Sequence, residues 1–383
     1  MAQYFAPGVY VEEVPPAARP IAGVGTSVAG FIGVAADDVV MPTRPDSPPA
    51  TFPLAPAGVP QLITGWEQFR NTFGDFQTGN AILAHAVYGF FHNGGTRCWV
   101  QRVADTGALS DPAEELARFA PIDEIAIVAI PGATTNVQHE AILGHCFNLK
   151  DRFAVLDGVQ SPATLTPANI ALVGRSEAGG YGAVYFPWIK VFDPITNTVT
   201  SVPPSGHIAG IYARSDATRG VHKAPANEVV LGAVEVDRAL SRADQEGLNP
   251  DGVNVIRLLT GAIKVWGART RADADHSEFQ YISTRRFFNF LRESIDEGTQ
   301  FVVFEPNNPA LWQRITRSVG DFLLNQWQAG ALFGETPRQA FFVRCDKDTN
   351  ANAGPGQVIT EIGVAIVQPA EFVIFRIQQT TGG

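Results

Sequence analysis

The chain has 383 residues, enough for two or three domains at roughly 100–200 residues each. Apolar residues make up 45%, which excludes global disorder, and only 17% are charged, against about 25% in an average soluble domain. The net charge of −10 disfavours broad electrostatic binding to nucleic acid or anionic lipid, and a large protein with so few charges either hides much of its surface in an assembly or risks self-association.

Arg outnumbers Lys 23 to 5, and Arg is the cation better suited to buried or interfacial ion pairs. Cys98, Cys146 and Cys345 are too few and too far apart for a disulfide framework or a CxxC site. The first basic residue is Arg19, so the N-terminus lacks the charged start of a signal peptide. The uncharged stretch from Pro20 to Ala36 is too short and glycine-rich to span a bilayer. These features predict synthesis in the cytoplasm and no direct membrane insertion.

Residues 1–20 read as an extended arm. Val9-Tyr10-Val11 is strand-grade, while prolines 15, 16 and 20 forbid a helix. A buried strand is predicted over 26–34, then a surface loop with seven prolines in 41–60. Thr64 and Glu67 suggest a capping box opening a helix that Gly74 closes. Helices near 79–92, 111–119 and 136–149 then alternate with strands at 96–103, 122–130 and 152–158, which argues for an α/β domain with a largely parallel sheet. Further strands are expected around 183–192 and 253–266, and VPPSGH (202–207) reads as exposed.

The character changes near residue 276. A helix over 284–297 carries Phe287, Phe288, Leu291 and Ile295 and stops at Gly298. Strand FVVFE (301–305) precedes a helix opened by Asn308-Pro309, with a stripe of Trp312, Ile315, Val319, Phe322 and Trp327 ending at Gly330. Strands at 341–345, 358–367 and 371–377 complete a second, α+β domain. The division is therefore an arm over 1–20, an outer α/β domain over 21–275 and an inner domain over 276–383, whose arm is 370–383. The apolar run Phe372, Val373, Ile374, Phe375 needs a partner, because a free edge of this kind templates other strands.

The catalytic and metal signals fail on spacing. GTSVAG (25–30) looks like a subtilisin nucleophile segment, but Ser27 precedes every histidine, the first being His85. His139-Glu140 starts an HExxH whose second ligand position is Leu143, and His145-Cys146 reads as helix packing. Asp346, Asp348, Asn350 and Asn352 imitate a calcium loop, yet its glycine position is Ala351 and its final acid is Gln357. No cofactor is called for.

Several long blocks do carry a resemblance. PGVYVEEV (7–14), VYGFFHNGGTRCWVQRV (87–103), VPPSGHIAGIYARSDATRGVHKAPANE (202–228), LNPDGVNVIR (248–257), VWGART (265–270), TRRFFNFLRESIDEGTQFVVFEPNNPALW (284–312), GALFGETPRQAFFVRCD (330–346) and AEFVIFRI (370–377) resemble the sheath proteins of contractile phage tails and contractile injection systems, in order and over nearly the whole chain. The resemblance implies a non-catalytic outer domain with a subtilisin-like fold and an inner α+β domain lying against a tube. It implies a homo-oligomer of hexameric rings stacked helically, with an inner tube protein, a baseplate and a terminator or cap as partners and no nucleic acid. Val9, Tyr10, Val11 and Phe372–Phe375 then become strand arms inserted into neighbouring subunits, and Arg314 and Arg317 become candidate tube-facing cations. Such a protein ends in an assembled phage tail or injection-system particle. The chain is short for the family, which leans towards an injection-system or pyocin-like particle. The competing class is an α/β hydrolase-like enzyme sharing only the architecture.

Overall fold

The computed structural model describes residues 20–374. These divide into two compact units: residues 23–293 with 366–374, and residues 294–365 with 20–22. The chain therefore passes between the units three times, after Ala22, after Glu293 and after Ala365.

The larger unit runs β1 (Ala29–Val34), β2 (Gln61–Ile63), α1 (Trp66–Phe73), α2 (Ala81–His92), β3 (Cys98–Val103), α3 (Ala113–Ala117), β4 (Ile127–Ala129), α4 (Asn136–Leu149), β5 (Phe153–Asp157), α5 (Pro167–Ala171), β6 (Gly182–Phe186), β7 (Ile189–Asp193), β8 (Thr198–Val202), α6 (Ser205–Arg219), β9 (Ala233–Val236), α7 (Arg242–Leu248), β10 (Val253–Leu259) and β11 (Ala262–Trp266). Its main sheet has eight strands in the order β11-β10-β6-β5-β4-β1-β3-β2. The strands from β10 to β3 are parallel, and β11 and β2 close the edges antiparallel. Parallel strands need both faces covered, hence their unbroken apolar runs.

Alternate residues feed two cores. Phe31, Val100, Ile127, Phe153 and Tyr185 pack with α1, α2 and α6 on one face. Ile32, Val128, Leu156, Val184 and Phe186 pack with α3, α4, α5 and α7 on the other. Helices α2 and α6 meet at backbone distance: a Cβ on Gly206 would fall 2.3 Å from the Ala86 carbonyl oxygen, and one on Gly210 2.4 Å from that of Phe90. The segment around VPPSGH is thus buried rather than exposed, because Val202 to His207 lead into and begin a helix that covers the sheet.

Other expectations also shift. The stretch 183–192 is two strands, interrupted at Pro187-Trp188, that enter different sheets, β7 joining a three-stranded sheet β8-β7-β9. The run 253–266 is a hairpin turning at Thr260-Gly261, and 122–130 shrinks to three strand residues. At α1 the side chain that caps is Gln68, not Glu67: its Oε1 accepts from the Thr64 amide and hydroxyl, each at 2.9 Å.

The second unit holds the end of α8 (Ile282–Thr299), α9 (Pro309–Gln328), α10 (Pro337–Ala340) and an antiparallel pair, β12 (Phe341–Arg344) and β13 (Glu361–Val364). Helix α8 runs through Gly298 rather than stopping there, and it exposes Phe288. Asn308 caps α9 as expected, its Oδ1 accepting from the Leu311 amide at 3.0 Å. Leu311, Ile315, Val319, Phe322 and Leu323 are buried, with Trp312 and Trp327 half-buried beside them. FVVFE is not a strand. Gln300–Val302 form a 3₁₀ turn, and Phe304 has φ 65° and is fully exposed, a left-handed conformation that is uncommon for a bulky residue. The expected strand at 358–367 is ordered as strand only over Glu361–Val364. Residues 371–374 are not strand, and the rest of the expected 371–377 strand, with Phe375, lies outside the described residues.

Candidate assembly site

The buried polar residues at the carboxyl end of the main sheet are tied up in hydrogen bonds. Open parallel sheets bind ligands outside the carboxyl ends of their strands, and here that position holds Asp157, Ser205 and His139, all buried. Asp157 accepts from the amides of Gly132 and Ser205 and from the Ser205 hydroxyl at 2.7–2.9 Å, which ties β5 to the start of α6. Burial raises its carboxyl to about 6 despite those bonds. The His139 ring sits between the carbonyls of Ala171, Ala133 and Asp157 at 2.9–3.1 Å, so neither nitrogen faces a reactant. At GTSVAG, Thr26 donates to Asp216, whose carboxylate is also gripped by both terminal nitrogens of Arg286 at 2.6–2.9 Å. At the calcium-loop imitation, Asp346 accepts from the amides of Asp348 and Thr349 and pairs with Arg344. Each cluster is a finished structural knot.

The edges are more informative. The open side of β11 is covered by residues 227–230: Asn227 and Val230 donate to Val265 and Ile263, and Val265 donates back to Glu228. The other edge of that sheet, β2, is only three residues long. The β12–β13 sheet is different. Among the described residues each strand has one strand neighbour, and Phe342 and Ile362 remain exposed. Two strands alone are marginal in water, and open edges invite a further strand.

Towards the C-terminus the chain is fastened. Glu371 takes both Nε and Nη2 of Arg269 at 2.7–3.2 Å, the Tyr281 hydroxyl at 3.0 Å and the Asn249 amide at 2.6 Å. Burial alone would raise its pKa, but the hydrogen bonds from Arg269 and Asn249 outweigh that and hold it below the ordinary glutamate value. Immediately beyond, Phe372, Val373 and Ile374 are 71%, 67% and 80% exposed. Val9, Tyr10 and Val11 lie outside the described residues. Arg314 pairs with Glu305 at 3.5 Å and lies 5.1 Å from the Phe301 ring, while Arg317 is exposed on the same helix. The apolar run at 372–374 was visible in the sequence. The fastening at Glu371 was not, because its partners lie 90–122 residues away.

A match to the phage tail sheath protein central domain covers residues 114–271, and one to the phage tail sheath C-terminal domain covers 274–380. The chain belongs to the contractile tail sheath family. The tail sheath protein of Burkholderia phage BcepMu is 28% identical over 192 residues, 46% of this chain and 40% of the phage protein, so the match spans less than half of that relative. The contracted helical sheath of the anti-feeding prophage is 31% identical, covers 98% of this chain and 99% of its own, and superposes with a TM-score of 0.76. The contracted sheath complex of the extracellular contractile injection system PVC is 28% identical over 99% of both chains, with a TM-score of 0.74. A sheath tail protein from Desulfitobacterium hafniense, 10% identical with a TM-score of 0.62, shares the fold. This mixed α/β protein is a contractile sheath subunit, a structural protein in a family of structural proteins. Among the described residues no helix is long and apolar enough to cross a membrane.

Proposed function

We propose that this sheath subunit polymerises as hexameric rings stacked helically around an inner tube, with its terminal arms inserted into the sheets of neighbouring subunits. Residues 1–20 are one arm and 370–383 the other. The outer domain, of subtilisin-like, non-catalytic fold, is assigned to residues 21–275 and the inner one to 276–383, a division that differs from the compact units in placing 276–293 and 366–374 with the inner domain. The observation that carries the reading is the pairing of an open acceptor with an unpartnered donor in one chain: the two-stranded β12–β13 sheet and the exposed run Phe372–Ile374. Strand addition gives affinity through the backbone and register through side chains, and a contact that does not close on itself builds filaments. The baseplate triggers sliding and repacking of linked subunits, the sheath shortens, and the tube is driven through a target envelope, with a terminator or cap protein at the far end. Arg314 and Arg317 face the tube in this scheme. The subunit is made in the bacterial cytoplasm and ends in the assembled particle.

Negative-stain microscopy of the purified full chain tests the reading. Striated tubes are expected, and removal of residues 1–20 is expected to leave folded chains that do not polymerise. Unchanged tubes after that removal refute the arm assignment. Charge reversal at both Arg314 and Arg317 is expected to abolish co-assembly with a tube protein.

A further inference from the structure

We infer that Glu371, held by Arg269, Tyr281 and Asn249, is the fixed root of the C-terminal arm and confines the donated strand to a docking surface beside that cluster, where the β12–β13 edge of a second copy binds. The inference rests on the strand-donation reading and adds where on the subunit the donation happens.

The geometry is that of a clamp rather than a passing contact. Two parallel N–H···O bonds between a guanidinium and a carboxylate fix direction as well as distance. The Tyr281 hydroxyl and Asn249 amide occupy further lone pairs, so both carboxylate oxygens are engaged from three separate places. Those places are the segment after β11, the start of α8 and the turn after α7. Arg269 and Glu371 are each less than one-fifth exposed, which shields the pair from the screening that makes surface ion pairs weak.

The residues just past the clamp are its opposite in character. Phe372, Val373 and Ile374 carry apolar, strand-favouring side chains into solvent. An extended chain spans at most about 3.6 Å per residue, so Ile374 stays within ~11 Å of the clamp. A neighbour that accepts these residues must therefore bring its sheet edge up to this part of the larger unit. With the clamp open, the nearest paired residue upstream is Ile366, which sits in a β-bridge, and Phe372 would range up to ~22 Å from it. The clamp sets the length of the tether, and tether length sets which neighbour is engaged and in what register.

The occupant is a second copy of this chain because the chain itself carries the complementary element. β12–β13 is open at its edges among the described residues and exposes Phe342 and Ile362.

The test compares Arg269→Ala, Glu371→Gln, the exchange Arg269→Glu with Glu371→Arg, and a chain ending after Glu371, each otherwise full-length. Each is measured by thermal unfolding, by chymotryptic cleavage after Phe372 and by cryo-EM of any tubes. The single variants are expected to stay folded, to be cleaved at least tenfold faster at Phe372, and to give no tubes or tubes of altered rise and rotation. The exchange is expected to restore wild-type parameters in part, because it re-forms the ion pair but leaves the Tyr281 hydroxyl and Asn249 amide without the carboxylate they donate to. The clamp is overturned if both single variants keep wild-type cleavage rates and helical parameters while the truncated chain gives no tubes, a result that leaves strand donation standing. Intact tubes from the truncated chain overturn strand donation and the inference with it. If Arg269→Ala unfolds, Glu371→Gln decides on the same criteria, since it keeps the side chain's size while removing its charge and turning one acceptor oxygen into an amide donor.

Discussion

The two units treat their apolar residues in opposite ways. In the larger unit Phe31, Phe153, Tyr185 and Tyr212 are fully buried, both faces of the main sheet are covered, and one long edge is capped by the chain's own residues 227–230. In the smaller unit Phe304, Phe333 and Phe342 are exposed, its sheet has two strands, and α9 supplies half of the buried apolar side chains. The larger unit covers its main sheet within one chain but leaves Phe372–Ile374 exposed in its C-terminal segment, while the smaller unit exposes apolar side chains beside a sheet of only two strands. In the proposed assembly, folding rests on the covered sheet of the larger unit, and the exposed apolar surface is where neighbours would bind.

Substitutions can break or sharpen that contrast. The largest effect is expected inside the main sheet, where Phe153→Ala should cost about 3–5 kcal/mol in denaturant unfolding. A cost below about 1 kcal/mol would mean that the larger unit does not carry the stability. Next comes the Arg286–Asp216 pair, with side chains only 3% and 5% exposed. Asp216→Ala strands a buried guanidinium and should cost about 3 kcal/mol, whereas Arg286→Met with Asp216→Leu should recover at least half of that.

The pH response is smaller and has a definite sign. Burial, with the nearby charges of His85 and His92, lowers His207 from 6.5 to about 3. Its unfolded form takes up a proton near pH 6.5 while the folded form does not, so stability falls as pH drops from 6.5 towards 3. His145, lowered to about 4 by burial and Arg152, acts in the same direction. Asp157 opposes them: raised by burial from 3.8 to about 6, it holds a proton when folded and stabilises as pH falls through that window. Asp157→Asn should therefore steepen the loss of unfolding free energy between pH 7 and 4.5, and an unchanged slope would contradict the assignment. The smallest effect on the isolated chain is expected at Phe333, which is 73% exposed. Phe333→Ser should change its stability by less than ~0.5 kcal/mol yet reduce tube formation. A stability loss comparable to that of Phe153→Ala would erase the distinction between the units.

Local signals were legible where they agreed with the final packing. Helix α4 runs over the expected residues because Thr135 and Gln138 form a reciprocal capping box at its start, and α9 begins where Asn308-Pro309 said it would. FVVFE misled because strand propensity reports a pleated, half-buried setting, and residues 301–305 have none among the described residues. VPPSGH misled because its small residues signal close helix approach as readily as a turn, and only α2 across the gap decides between the two. The arginines taught most. Their excess over lysine suggested buried or interfacial pairs, and Arg102, Arg152, Arg271, Arg285 and Arg286 are buried within the chain. Arg152, for example, donates to the carbonyls of Phe119 and Ile122 and pairs with Asp151. Several of the chain's few cations are thus turned inward, set by partners far away in sequence.

The three passages of the chain between its units bear on mechanics. A subunit joined by a single linker would pass all traction through one short segment, and that segment would be the first to yield. Here the connections after Ala22, Glu293 and Ala365 lie in parallel, and the middle one is the continuous helix α8. Tension entering through either end of the chain is shared among three covalent paths. In a contractile sheath subunit, load passed from one unit to the other is therefore not borne by a single linker.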